Sequence, residues 1–135
     1  MADALKHALV GTVLTQAEYE SLLGSHTFSI EHHTSSDTLA TTETGSVHTN
    51  LGAGAAVKLT LPQDAAAGCL FWFAVMVAQQ LQIDAGAAGA IYIGGSKQAD
   101  DAYIWADAIG ESVMLVCDGS SDWISLFATG TWTVV

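Results

Sequence analysis

The chain has 135 residues, half of them apolar, and a net charge of −11 at pH 7. It holds no arginine, and its three lysines, Lys6, Lys58 and Lys97, are widely spaced. Phosphate recognition rests on clustered Lys and Arg, so neither nucleic acid nor an anionic membrane surface is an expected partner.

Residues 1–24 read as an N-terminal arm with one short helix, and residues 25–135 as a β-sandwich or barrel-like domain. In Met1–Val13, Leu5, Leu9 and Val13 recur at helical spacing, but Gly11, Thr12 and Val13 weaken a helix. An extended arm laid along a neighbour fits equally well. The segment lacks the long apolar run of a secretory signal, so synthesis in a cytoplasm without export by that route is expected. Thr15–Leu23 is a predicted helix. Thr15 and Glu18 make a capping box, and Leu14 and Tyr19 suit a hydrophobic staple. Gly24 stands where a helix C-terminus favours glycine. Two or three turns are marginal alone in water, so this element should pack on something.

Ser25–Asn50 is polar and β-branched, and reads as short edge strands or an extended excursion. From Ser46 the pattern is strand after strand. Val47–Leu51 precedes a tight turn at Gly52–Gly54. In Ala56–Leu61, Val57, Leu59 and Leu61 alternate with Lys58 and Thr60. Gly68–Val77, GCLFWFAVMV, is the most apolar run. Both of its alternating faces are apolar, which predicts a strand covered on both sides. A buried helix is the competing reading, and the aromatic and β-branched content favours strand. At about ten residues the run is too short to cross a bilayer, which needs about twenty. Further strands follow at Leu81–Asp84, Ala90–Ile93, Ala102–Ala106, Ser112–Cys117, Trp123–Phe127 and Trp132–Val135. Gly94-Gly95, Ile109-Gly110-Glu111 and Asp118-Gly119-Ser120 punctuate them. Many short strands without a fixed-period repeat predict an all-β sandwich or barrel. Charged residues make up only 13 % of the chain, against about a quarter in a typical domain. Burial against other subunits is therefore expected.

Chemistry-bearing residues are present without the spacings that chemistry needs. The histidines are His7, His26, His32, His33 and His48. His32-His33 adjoins Glu31, but successive strand residues point to opposite faces, so the two rings should not share one ion. With neither HxH nor HExxH present, no metal site and no cofactor are expected. Asp100, Asp101, Asp107 and Glu111 do not match a calcium loop and read as a solvated loop. There is no GxSxG elbow. Gly94-Gly95-Ser96-Lys97 lacks the phosphate-loop spacing. Cys117 has no base near it in sequence. No catalytic residue is assigned, and the chain is not expected to be an enzyme. Cys69 and Cys117 are expected to be reduced and buried, with a cross-sandwich disulfide as the alternative. Tyr103, Trp105, Trp123 and Trp132 suit core or interface anchors, with sugar stacking as the alternative.

Several segments resemble small structural proteins of tailed-bacteriophage virions: capsid decoration (cement) proteins, head-fibre proteins and modules of tail fibres. They are His48–Pro62 (HTNLGAGAAVKLTLP) with the run from Gly68, Tyr103-Ile104, Gly110-Glu111-Ser112, Leu115–Cys117, Trp123 and Ala128–Thr133. Leu14–Leu22 is similar to the leader of many such proteins. Together these cover most of the chain, except the polar run Ser29–Thr44, and the likeness is one of pattern without a catalytic signature. It implies a β-rich module, often trimeric, displayed on a virion. The expected function is capsid decoration: a homotrimer, made in the host cytoplasm, that binds the lattice of the major capsid protein and stabilises the head. Leu5, Leu9, Val13, Leu14, Tyr19 and Leu22 are the expected contact residues of the leader, and Trp132 is expected near a subunit contact. The alternative is a tail or fibre component that recognises host surface glycans through Trp105 or Tyr103, or serves as an adaptor.

Overall fold

The computed structural model describes residues 15–18 and 27–135. Among these, the strands in chain order are β1 (Ile30–His32), β2 (Asp37–Thr38), β3 (Ser46–Thr49), β4 (Val57–Thr60), β5 (Leu70–Ala74), β6 (Leu81–Asp84), β7 (Ile91–Ile93), β8 (Ser96–Lys97), β9 (Tyr103–Ala106), β10 (Ser112–Cys117), β11 (Trp123–Thr129) and β12 (Thr133–Val134). They form two mixed sheets. Sheet A runs β1-β3-β5-β10-β11-β7-β8, and sheet B runs β12-β9-β6-β4-β2. The predicted all-β sandwich is the observed fold.

The first half of the chain winds between the sheets. β1, β3 and β5 pair in parallel in sheet A, while β2, β4 and β6 pair in parallel in sheet B. Every connection up to β6 therefore crosses from one sheet to the other, and the Gly52–Gly54 turn is one such crossing. A parallel coil has no hairpins, so backbone groups at its corners need other partners. Two amide side chains supply them. Asn50, fully buried after β3, donates to the carbonyls of Val77 and Gln79 and accepts from the amides of Met76 and Val77. Gln63, after β4, donates to the carbonyls of Leu61 and Ala85. Each amide ties one turn of the coil to the next.

The second half closes the sandwich with mostly antiparallel pairs, the parallel β7–β11 pair excepted. The β10–β11 pair fills sheet A between β5 and β7, and β9 lies antiparallel to β6 in sheet B. Gly94-Gly95, at φ +63° and +82°, turns β7 tightly into β8. Left-handed backbone at both positions suits a two-residue hairpin, which explains the glycine pair without a phosphate.

The core lies between the sheets. Val57, Leu59 and Leu61 are buried and Lys58 and Thr60 half-buried, as their alternation predicts. Phe71, Phe73, Val75, Leu115 and Trp123 enter from sheet A, with Phe71 and Trp123 ring centroids 5.8 Å apart. The central run is a strand, but it is not covered on both sides. Phe71 and Phe73 are buried, while Leu70, Trp72 and Ala74 on the opposite face are only half-buried. Cys69 and Cys117 are free thiols at neighbouring ends of β5 and β10 in one sheet, where the Cys117 amide donates to the Cys69 carbonyl.

Of the predicted Thr15–Leu23 helix, residues 16–18 are helical. The capping box is formed: the Thr15 amide donates to Glu18 Oε2 at 2.8 Å, and the Glu18 amide to Thr15 Oγ1 at 3.2 Å. Leu5, Leu9, Val13, Leu14, Tyr19, Leu22 and Gly24 lie outside the described residues.

Candidate functional site

The outer face of sheet A carries two rows of largely apolar side chains in register across its strands, beside a more polar row of His32, Thr49, Ala74 and Ser112. One row runs Ile30, Val47, Trp72, Met114 and Leu126. The next runs Leu70, Val116, Ile124 and Tyr92 and ends on Lys97. The rows hold no carboxylate, although the chain has fourteen. Ile124 and Leu126 are 42 % and 41 % exposed. On β10, between β5 and β11, Met114 is buried and Val116 half-buried, so the exposed part of the face lies mainly along β11.

A bulge adds to this face. Ser112 pairs with Thr129 and Met114 with Leu126, so β11 carries an extra residue opposite Val113. Phe127 sits there at φ +53°, is 74 % exposed, and stacks on Trp72 with centroids 6.2 Å apart. A left-handed non-glycine residue costs about 1 kcal/mol or more. An exposed ring held at such a cost points to a surface with a use.

A second cluster lies at the β1 edge, on the inner side of the same sheet. Glu31 is in register with His48 of β3, and His33, one residue beyond β1, folds in beside them. His33 Nε2 lies 2.8 Å from His48 Nδ1. Glu31 Oε2 is 3.8 Å from the first nitrogen and 3.9 Å from the second. His33 and His48 are buried and Glu31 is exposed. Burial, then His33 beside it, lowers the His48 pKa to about 4, so its ring is neutral at pH 7. Ser46 Oγ donates to the Glu43 carbonyl and lies 2.7 Å from His48 Nε2. The hydroxyl's one proton is spent on the carbonyl, so it accepts from Nε2–H. That leaves His48 Nδ1 as a bare lone pair. A cavity of about 440 Å³ opens beside the cluster, with Glu31 and Ser46 in its wall.

No protein-family model matches this chain, and no curated protein sequence does. What the site can do is therefore read from its residues.

The structure separates the two adjacent histidines as strand geometry requires. His32 Nδ1 meets Thr49 Oγ1 on the outer face at 2.6 Å, while His33 turns inward. The partner it finds, His48, is fifteen residues away, a spacing no local motif describes. Trp132 is half-buried against the core, donates from Nε1 to the Ser112 carbonyl, and lines a shallow depression of about 300 Å³ with Ile93 and Thr131. Trp105 and Tyr103 lie half-buried on the outer face of sheet B. Lys58 Nζ sits 4.3 Å from the Tyr103 ring centroid, which leaves that ring less open for stacking. Asp100, Asp101 and Asp107 are exposed. Glu111 accepts from the amides of Ala108 and Thr131, and these bonds hold its carboxyl below the usual range. It pins two turns together rather than pairing with another carboxylate.

Proposed function

We propose that this protein is a structural assembly subunit that associates with copies of itself through the outer face of sheet A. The observation that carries the reading is the two apolar rows with Phe127 stacked over Trp72, free of any carboxylate in a chain of net charge −11. A second copy is the occupant that charge favours. A basic partner would be drawn to the acidic loops, whereas two copies meeting here bring together apolar surface whose one charge, Lys97, is already bonded to Asp122. The most exposed apolar members of this face, Phe127 at 74 %, Ile30 at 59 %, Ile124 at 42 % and Leu126 at 41 %, form a contiguous apolar patch of the kind that marks an interaction surface. A two-fold arrangement would pair face with face. The trimer expected from the sequence would set each face against a different surface of the next copy.

The specific form of the proposal is capsid decoration, with the major capsid protein as second partner, the virion surface as location, and no catalytic step. It rests on the resemblance described above. The leader would make the contact with the lattice.

Light scattering on the purified full chain tests the association. Oligomers at micromolar concentration are expected, dissociated by Ile124→Glu or Leu126→Glu with the strand circular dichroism unchanged. A wild-type chain that stays monomeric at hundreds of micromolar refutes the reading. Removal of residues 1–24 tests the decoration form: folded oligomers that no longer co-sediment with capsids are expected, and undiminished occupancy refutes it.

A further inference from the structure

We propose that Glu31, His33 and His48 form a binding site for a single divalent transition-metal ion, zinc above all. The three donor atoms, His33 Nε2, His48 Nδ1 and Glu31 Oε2, are separated by 2.8, 3.8 and 3.9 Å. A circle through three points so spaced has a radius of about 2.1 Å, the length of a zinc–nitrogen or zinc–oxygen bond. One ion placed between them therefore reaches all three at bonding distance. A tetrahedron with such bonds has edges of about 3.4 Å, so the two nitrogens would open by about 0.6 Å and Glu31 Oε2 would move in by about 0.5 Å. Two imidazole nitrogens with a single carboxylate suit zinc and its first-row neighbours, whereas calcium and magnesium call for an all-oxygen set.

The surroundings are those of a ligand set. His48 presents a bare Nδ1 because Ser46 and the Glu43 carbonyl fix its proton on Nε2. Without metal, His33 Nε2–H donates to that lone pair. On loading, the His33 proton moves to Nδ1, which faces Asp37 Oδ2 at 3.9 Å. An outer carboxylate behind a ligating histidine is a common support. The proton changes nitrogen and none need leave the ring. Glu31 supplies negative charge from the exposed side and stands in the wall of the cavity, so the cluster meets solvent through this residue; a water would take the fourth position. The ion would fasten β1, a three-residue edge strand, onto β3, since its ligands come from both.

The test uses untagged, full-length protein stripped with a chelator. Zinc is titrated by calorimetry, and cobalt by its visible absorption, which is strong in four-coordinate sites. One ion per chain is expected, with a rise in melting temperature on loading. Glu31→Gln, at an exposed position that does not endanger folding, should weaken binding by at least the ~10–100-fold of an outer-shell loss. His33→Gln should do the same, and His32→Gln should leave affinity unchanged. Absence of binding at millimolar metal overturns the proposal. So does binding that survives both Glu31→Gln and His33→Gln, which would mark adventitious capture by other histidines.

Discussion

The two sheets share one core but show solvent very different faces. Outside sheet A lie Trp72, Leu70, Val116, Ile124, Leu126 and Tyr92, with polar groups only toward its edges: Lys97, bonded to Asp122 at 2.7 Å beside Tyr92, and the His32–Thr49 pair. Outside sheet B, at the same kind of alternating position, lie Lys58, Thr60, Gln82, Asp84, Tyr103 and Trp105. There Lys58 bonds Asp84 at 3.1 Å and covers Tyr103. Sheet B is finished as a surface for water: its polar groups satisfy each other, and its aromatic faces a cation. Sheet A leaves apolar side chains, Ile124, Leu126 and Phe127 among them, open to solvent. The difference places a contiguous apolar patch on sheet A, whereas the other exposed apolar residues, such as Phe28, Leu51, Ile109 and Val135, are scattered; on the proposed reading the patch is what serves association.

The largest expected effect separates the two sides of a single strand. Phe71 and Trp72 are adjacent in β5, one buried in the core and the other on the outer face. Phe71→Ala should cost about 3–5 kcal/mol in urea unfolding of the dissociated chain. Trp72→Ala should cost clearly less there but weaken self-association, which light scattering reads. Equal losses of stability would mean that the outer face is core in all but name.

Acid probes the buried His33–His48 pair under sheet A. The folded pKa of His48 is lowered to about 4 from the ordinary 6.5. Between those values the unfolded chain holds more protons, so stability rises with pH. It should fall as pH drops from about 6.5 to 4, by up to about 3 kcal/mol from this residue, and then level. Urea midpoints with chelator present, across pH 7 to 4, check this, and His48→Gln should flatten the slope. A slope unchanged in that variant would show that His48 is already neutral or charged to the same extent in both states.

Sequence made most of the fold legible, for physical reasons. Val57–Leu61 alternates because one face meets the core and the other water, and its strand lies where the alternation ends. Thr15 and Glu18 signal their cap directly, since the two bonds are local. The Gly68–Val77 run misled in one respect: its outer side chains are as apolar as its inner ones, so periodicity cannot tell a covered face from an interface awaiting its partner. The parallel coil was hidden because its stitches, Asn50 to residues 76–79 and Gln63 to Ala85, join residues far apart. The same holds for the His33–His48 pair, which exists only because β1 and β3 pair in parallel. Phe127 gave no signal at all: nothing in WISLFAT marks where a bulge will turn the backbone left-handed.

That bulge allows stability and association to be pulled apart. At φ +53°, Phe127 occupies backbone that glycine adopts without steric cost. Phe127→Gly should relieve about 1 kcal/mol of strain, offset in part because Trp72 no longer has a ring stacked on it. The net change in unfolding free energy should be small and of either sign. Self-association should weaken nonetheless, by roughly tenfold or more, because the most exposed ring of the apolar face is gone. A variant that melts as before yet associates less well would mean the strain is maintained for the surface and not for the fold.

The smallest effect should come from sheet B. Lys58→Met breaks a half-exposed ion pair with Asp84 and lifts the cation from Tyr103. Pairs of this kind contribute about 0–1 kcal/mol, and the methionine retains much of the aliphatic packing. Stability should shift by less than about 1 kcal/mol, and the mass of the oligomer should not change. If instead Lys58→Met dissociates the oligomer while Leu126→Glu does not, the interface lies on the polar sheet. The apolar rows of sheet A would then be an exposed surface without a partner, and the asymmetry between the two faces would have to be explained by something other than self-association.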